Sequence, residues 1–155
     1  MAAFECRGDF IGTIRLIPMN QGLAPCEALL DGTSLLPAHC YEASWEVGRL
    51  VLAPEYRAGP EVLKRCLFVT LMHLLRTTQI ENVFAVCTPV LARLYRRLGC
   101  SVIMKDACEG ADGSLSLIHG KASAVLLALA SNEEEKLLAQ CQLGGLRQPE
   151  PEMSR

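Results

Sequence analysis

A chain of 155 residues, half of them hydrophobic and with a mean hydropathy of +0.23, has the length and apolar content for one domain with a full core. Its formal charge of −2 gives nucleic acid nothing to bind electrostatically. No apolar run reaches the roughly 20 residues of a membrane helix, and Met1–Arg7 lacks the basic-then-apolar pattern of a secretory signal.

Phe10–Pro18 (FIGTIRLIP) predicts a strand, broken in polarity by Arg15 and ended by Pro18. Met19–Tyr41 is rich in Gly, Pro and small residues and predicts a loop, with one short helical turn near Cys26–Leu30. Trp45–Leu52 predicts a second strand. Pro60 opens a helix over Glu61–Thr77, whose apolar residues recur at helical spacing, with His73 packed in the core. Asn82–Thr88 (NVFAVCT) fits a buried strand. Pro89 then opens a helix over Val90–Leu98, closed by Gly99. Ser101–Lys105 predicts another strand, and Cys108–Gly120 a turn-rich loop that holds a solvated His119. Ala122–Ala130 is apolar throughout and predicts a buried strand, with a helix as the alternative. Ser131–Cys141 predicts a last helix, with Ser131 and Glu134 at capping-box spacing. Strands alternating with helices imply a single α/β domain over residues 1–143, with a central mixed sheet flanked by helices and parallel neighbours in its middle. Residues 144–155, with Pro149 and Pro151, read as a flexible tail.

The eight cysteines (Cys6, Cys26, Cys40, Cys66, Cys87, Cys100, Cys108 and Cys141) stand singly, with no CxxC pair. That pattern suits reduced thiols in a cytoplasmic protein and gives no zinc or other metal site. The three histidines make no recognisable dyad with a cysteine, so Cys87 and Cys100 lack the partner a nucleophilic thiol needs.

The segment Trp45–Pro60 carries the most chemistry. Strand alternation puts Trp45, Val47, Arg49 and Val51 on one face and Glu46, Gly48, Leu50 and Leu52 on the other. A carboxylate and a guanidinium in an apolar strand are costly to bury unless paired or used. Glu46 therefore reads either as a general base for an attacking amine or as the partner of an arginine inside the sheet. Arg15 and Arg49 could bind an acceptor's carboxylate or hold Glu46 in place. Arg57, with backbone N–H groups near Ala58 and Gly59, stands before a helix N-terminus, where a phosphate is favoured. Thr88, at the end of an apolar strand, could line an acyl pocket.

Three pieces in order carry a family resemblance from about Gly8 to Ala130. Gly12-Thr13-Ile14-Arg15-Leu16-Ile17-Pro18 resembles a "GxxRLxP" strand. Trp45-Glu46-Val47-Gly48-Arg49-Leu50 resembles a "WExSRL" strand, with Gly48 in place of the usual Ser. Val83–Gly99, ending Leu94-Tyr95-Arg96-Arg97-Leu98-Gly99, resembles the strand and helix that close an acyl-carrier cleft. Together they resemble the GCN5-related N-acetyltransferase superfamily, and within it the acyl-homoserine-lactone synthase and N-acyl amino acid synthase branch. The resemblance implies an N-terminally short acyl-CoA N-acyltransferase fold with the sheet splayed in its middle. It implies a metal-free transfer of an acyl group from acyl-carrier protein or acyl-CoA to a small amine. The product would be an N-acyl amino acid or a homoserine-lactone-type autoinducer of the kind used in quorum sensing. It also implies Tyr95 as general acid towards the leaving thiolate, and it loosely matches Arg57-Ala58-Gly59-Pro60 to a phosphate loop. An acetyl-CoA-dependent N-acetyltransferase and a non-catalytic domain of the same fold are the alternatives.

Overall fold

The computed structural model describes residues 1–33 and 41–145. The strands are β1 (Ala2–Cys6), β2 (Asp9–Pro18), β3 (Ser44–Leu52), β4 (Asn82–Cys87), β5 (Cys100–Gly110) and β6 (Gly113–Lys121). The helices are α1 (Pro25–Asp31), α2 (Glu61–Thr77), α3 (Pro89–Arg97), α4 (Ala122–Leu129) and α5 (Glu133–Gly145). One sheet runs in the order β1-β2-β3-β4-β6-β5, with β3 and β4 parallel and every other pair antiparallel. The α/β fold with a mixed sheet expected from the sequence is the fold observed.

The β3–β4 pairing fixes the site. It holds only over Ser44–Glu46 against Asn82–Phe84, and beyond those three pairs the strands part. Successive side chains go to opposite faces. Trp45 and Val83 face the core under α2 and α4, where Phe68, Leu71, Leu126 and Leu129 pack. Phe84 and Leu117 face a second core with Met19, Cys26 and Leu30 under α1.

Several expectations need correction. Cys108–Gly120 is not a loop: β5 and β6 form a hairpin that turns tightly between Gly110 and Gly113, and Gly113 adopts φ +119°. The turn signal Glu109-Gly110-Ala111-Asp112-Gly113 that suggested a loop is the end of β5 and the hairpin turn itself. His119 accordingly lies in β6, half-buried, rather than in a solvated loop. Ala122–Leu129 is helix, not strand. Its buried residues Ala122, Val125, Leu126 and Leu129 have helical spacing, and Ala and Leu are strong helix formers. His73 is exposed on α2 rather than packed. The α5 cap sits one residue later than expected. Asn132 Oδ1 accepts the Glu135 N–H at 2.8 Å, and Glu135 Oε2 accepts the Ser131 N–H at 2.7 Å. Gly144 and Gly145 belong to α5; the rest of the expected tail, and residues 34–40 of the expected loop, lie outside the described residues. β1, which the sequence reading did not mark, forms one edge of the sheet beside β2.

Candidate active site

Glu46 lies in β3 opposite Ile17 of β2 and is 3% exposed. Its Oε1 accepts from Arg15 Nη2 at 2.9 Å, and its Oε2 accepts the backbone N–H of Cys26 at 2.7 Å. One carboxylate thus ties β2, β3 and the first turn of α1 together, and the buried charge is compensated by both partners. The Cys26 thiol beside it is driven well above its ordinary pKa, by burial first and then by Glu46.

Strict alternation along β3 fails after Gly48. Thr13 pairs with Val51 and Arg15 with Gly48, so β3 carries one extra residue, and Arg49 takes φ +49° to accommodate it. The bulge takes its extra residue out of the ladder. It also puts Gly48, Arg49 and Leu50 on the wall of a cavity of about 300 Å³ that fills the gap between the parting strands. Leu71 and Leu74 of α2, Val86 and Cys87 of β4, Tyr95 of α3 and Leu129 of α4 supply other parts of a mostly apolar lining.

Of the residues singled out from the sequence, Arg49, Thr88 and Tyr95 line this cavity; Glu46, Arg15, Arg57, Ala58 and Gly59 do not. Thr88 is also the N-cap of α3, its Oγ1 accepting the Leu91 N–H at 3.4 Å. The Tyr95 hydroxyl has no hydrogen-bond partner among the described residues, and burial, then the Cys87 and Cys100 thiols, push its pKa up to about 12. Burial likewise pushes Cys87 and Cys100 to about 11. Arg57 is exposed, its Nε donating to the Leu52 carbonyl at 2.7 Å, and the Gly59 N–H is given to the Arg57 carbonyl at 2.8 Å. Among the described residues, no three His, Cys, Asp or Glu side chains converge as a metal would require.

The sequence marked Gly48 only as a glycine in place of the usual serine. It lines the cavity, yet a Cβ built on it would lie 3.4 Å from Arg15 Nη2 and 3.7 Å from Glu46 Oε1. It is the point where the apolar cavity and the buried ion pair adjoin. The available signal was a glycine inside a strand, which marks a bulge or a close approach.

No family model and no curated protein matches the chain. Solved structures do. A CoA-dependent acyl-homoserine lactone synthase, MesI, superposes with a TM-score of 0.56 at 19% identity, over 89% of this chain and 65% of that one. The acyl-homoserine lactone synthase LasI gives a TM-score of 0.56 at 17% identity, over 81% of this chain and 66% of that one. A chimera of the Vibrio cholerae spermidine N-acetyltransferase SpeG gives 0.54 at 15% identity, over 79% and 65%. The chain therefore has the fold of the GCN5-related N-acetyltransferases. Acyl-homoserine-lactone synthases stand among its structural neighbours, and it spans about two thirds of their length.

Proposed function

We propose that this protein transfers an acyl group from a thioester, carried by coenzyme A or an acyl-carrier protein, to a small amine. The product would be an N-acyl amino acid or a homoserine-lactone-type signal. The observation that carries the reading is the cavity between β3 and β4, which meets the Glu46–Arg15 pair across a residue without a side chain. The thioester carbonyl sits at the β3 bulge, where backbone N–H groups polarise it. The amine nitrogen attacks the carbonyl carbon, forming the C–N bond, and the amine proton passes to Glu46 directly or through one water. The C–S bond then breaks. Tyr95, held protonated by its raised pKa, gives the leaving sulfur a hydrogen bond; a thiolate whose conjugate acid has a pKa near 8.5 is too weak a base to take that proton outright, so solvent protonates it and in turn receives the proton held by Glu46.

The donor's charge finds a complement on α3. Arg93, Arg96 and Arg97 are all exposed, and none forms an ion pair with a described residue. Such a cationic face suits a phosphate-bearing or acidic donor, whereas the exposed Arg57 turn offers no preformed cradle. An acetyl-CoA-dependent transfer is the second reading, and the likeness in fold to the spermidine N-acetyltransferase chimera supports it. We place the reaction in the cytoplasm, where thioester donors are made.

The test is mass spectrometry of lipid extracts from cells expressing the chain, beside a Glu46→Gln control. An N-acyl species formed only by the unaltered protein supports transfer, and its mass names chain and acceptor. A folded protein that yields no new species and binds no octanoyl-CoA overturns it.

A further inference from the structure

We propose that the closed end of the cavity is a stop for the hydrocarbon tail of the acyl group, and that Leu129 of α4 thereby sets the longest unbranched chain the protein accepts. The inference rests on the acyl-transfer reading and goes beyond it in naming the acyl class and the residue that selects it.

The cavity has two unlike ends. Arg49 of β3 and Leu91 of α3 both line it and are exposed, so they stand at its mouth. At the other end the lining is Leu74 of α2, Val83 of β4, and Val125 and Leu129 of α4. All four are buried, and Leu129 is only 1% exposed. Val83 lies within the short parallel ladder, opposite Trp45, so the strands are already joined there and the gap is shut. Helix α2 runs between the two ends. Its Leu67, Leu71 and Leu74 line the cavity over about two turns, roughly 10 Å of helix, and pass from half-buried to buried on the way. The space is therefore long in one direction and closes against α4.

The chemistry of the closed end names the tail. Its four side chains carry no nitrogen or oxygen. Thr70, a polar residue of the α2 wall, gives its hydroxyl proton to the Cys66 carbonyl at 2.8 Å. A hydroxyl or carboxylate at the far end of an acyl chain would be buried there without a partner, which is costly. A methyl group meets only carbon. With the thioester carbonyl at the β3 bulge, the chain extends along α2 towards Leu129. Each added methylene buries more apolar surface until the terminal methyl reaches that side chain. Beyond it the core is closed, because Leu126 and Leu129 pack with Phe68, Leu71 and Leu75 of α2, and a close-packed interior does not yield to a further methylene without strain.

The experiment titrates the full chain, without any amine, by calorimetry. The probes are S-acyl pantetheines from butanoyl to dodecanoyl, the thioester portion common to both carriers. Affinity is expected to rise about fourfold per added methylene and then to stop rising at one chain length. Leu129→Ala should move that length up by about two carbons, and Leu129→Phe should move it down by about as much. Val125→Ala, one turn earlier on the same floor, should also move it up, and it carries the test if circular dichroism shows a Leu129 variant unfolded. A chain of the stopping length with a terminal hydroxyl should bind about tenfold worse than its parent. A stopping length that is the same in every folded variant, affinity that climbs through dodecanoyl without a break, or equal binding of the hydroxylated chain would each overturn the proposal and leave the acyl-transfer reading in place. Binding of no member of the series would overturn that reading, and this inference with it.

Discussion

Replacing Gly48 with serine should make this protein more stable. Three contributions set the size. Any side chain at 48 removes unfolded-state freedom that glycine has, about 0.4–1 kcal/mol where the native backbone tolerates it, and Gly48 lies outside the positive-φ region. The new Cβ meets its nearest neighbour at 3.4 Å, which demands no rearrangement. The hydroxyl then reaches the orphaned Arg15 Nε, and a hydrogen bond to a charged group contributes about 1.5 kcal/mol, discounted to about 1 because Arg15 is a quarter exposed. The sum is about 1.5–2 kcal/mol, or about 3–8 °C in Tm for a domain of this size. Gly48→Ala isolates the backbone contribution, so serine should exceed alanine by about 1 kcal/mol. Urea unfolding followed by the fluorescence of Trp45, the sole tryptophan and a β3 residue, gives the three stabilities, with an unchanged m-value as the check on two-state behaviour. Alanine matching or exceeding serine would refute the assignment of Nε as an unsatisfied donor.

Arg15→Met leaves the Glu46 charge buried with one partner gone and should cost about 3 kcal/mol, part of it recovered by adding Glu46→Gln; a loss below about 1 kcal/mol would show the pair to be incidental. Native-state alkylation mapped by mass spectrometry should label Cys6 and Cys141 well before Cys26, Cys66 and Cys87, and early labelling of Cys87 would mean the cavity wall is open to solvent. His119 is held neutral by burial first and by Lys121 second, its pKa lowered below 6.5. The unfolded chain therefore binds that proton more readily. The stabilisation is complete above about pH 6.5 and is lost as pH falls from there through the lower folded value. His119→Gln, keeping a hydrogen bond to Asn82, should flatten that part of the urea-midpoint profile, and an unchanged profile would assign the slope elsewhere.

The elements that flank the site were legible because their signals are local. Pro60 and the 3.6-residue spacing after it mark α2, and NVFAVC before Thr88-Pro89 marks β4 and the start of α3. The failures were of context. Ala122–Leu129 is apolar at nearly every position, so period could not separate strand from helix, and only its Ala/Leu composition favoured the answer. β5 carries charges because it lies at an edge, a fact of sheet order that no residue in it declares. At the site, the sequence put Glu46 near arginine but could not choose Arg15 over Arg49. The choice depends on the β2–β3 register, which sets Arg15 opposite Gly48 and within reach of Glu46.

The brief parallel ladder between β3 and β4 has a dynamic consequence. One half of the sheet, β1 to β3, meets the other, β4 to β6, through only Ser44–Glu46 and Asn82–Phe84. Beyond that seam the two halves are held together by helices and by whatever fills the gap. Those backbone amides of Val47–Leu50 and Ala85–Cys87 that point into the gap should therefore exchange their hydrogens faster than amides paired within the β2–β3 or β4–β6 ladders while the gap is empty. A long acyl thioester lodged there would act as a missing rung, and the slowing of that exchange would register its arrival before any bond is made or broken.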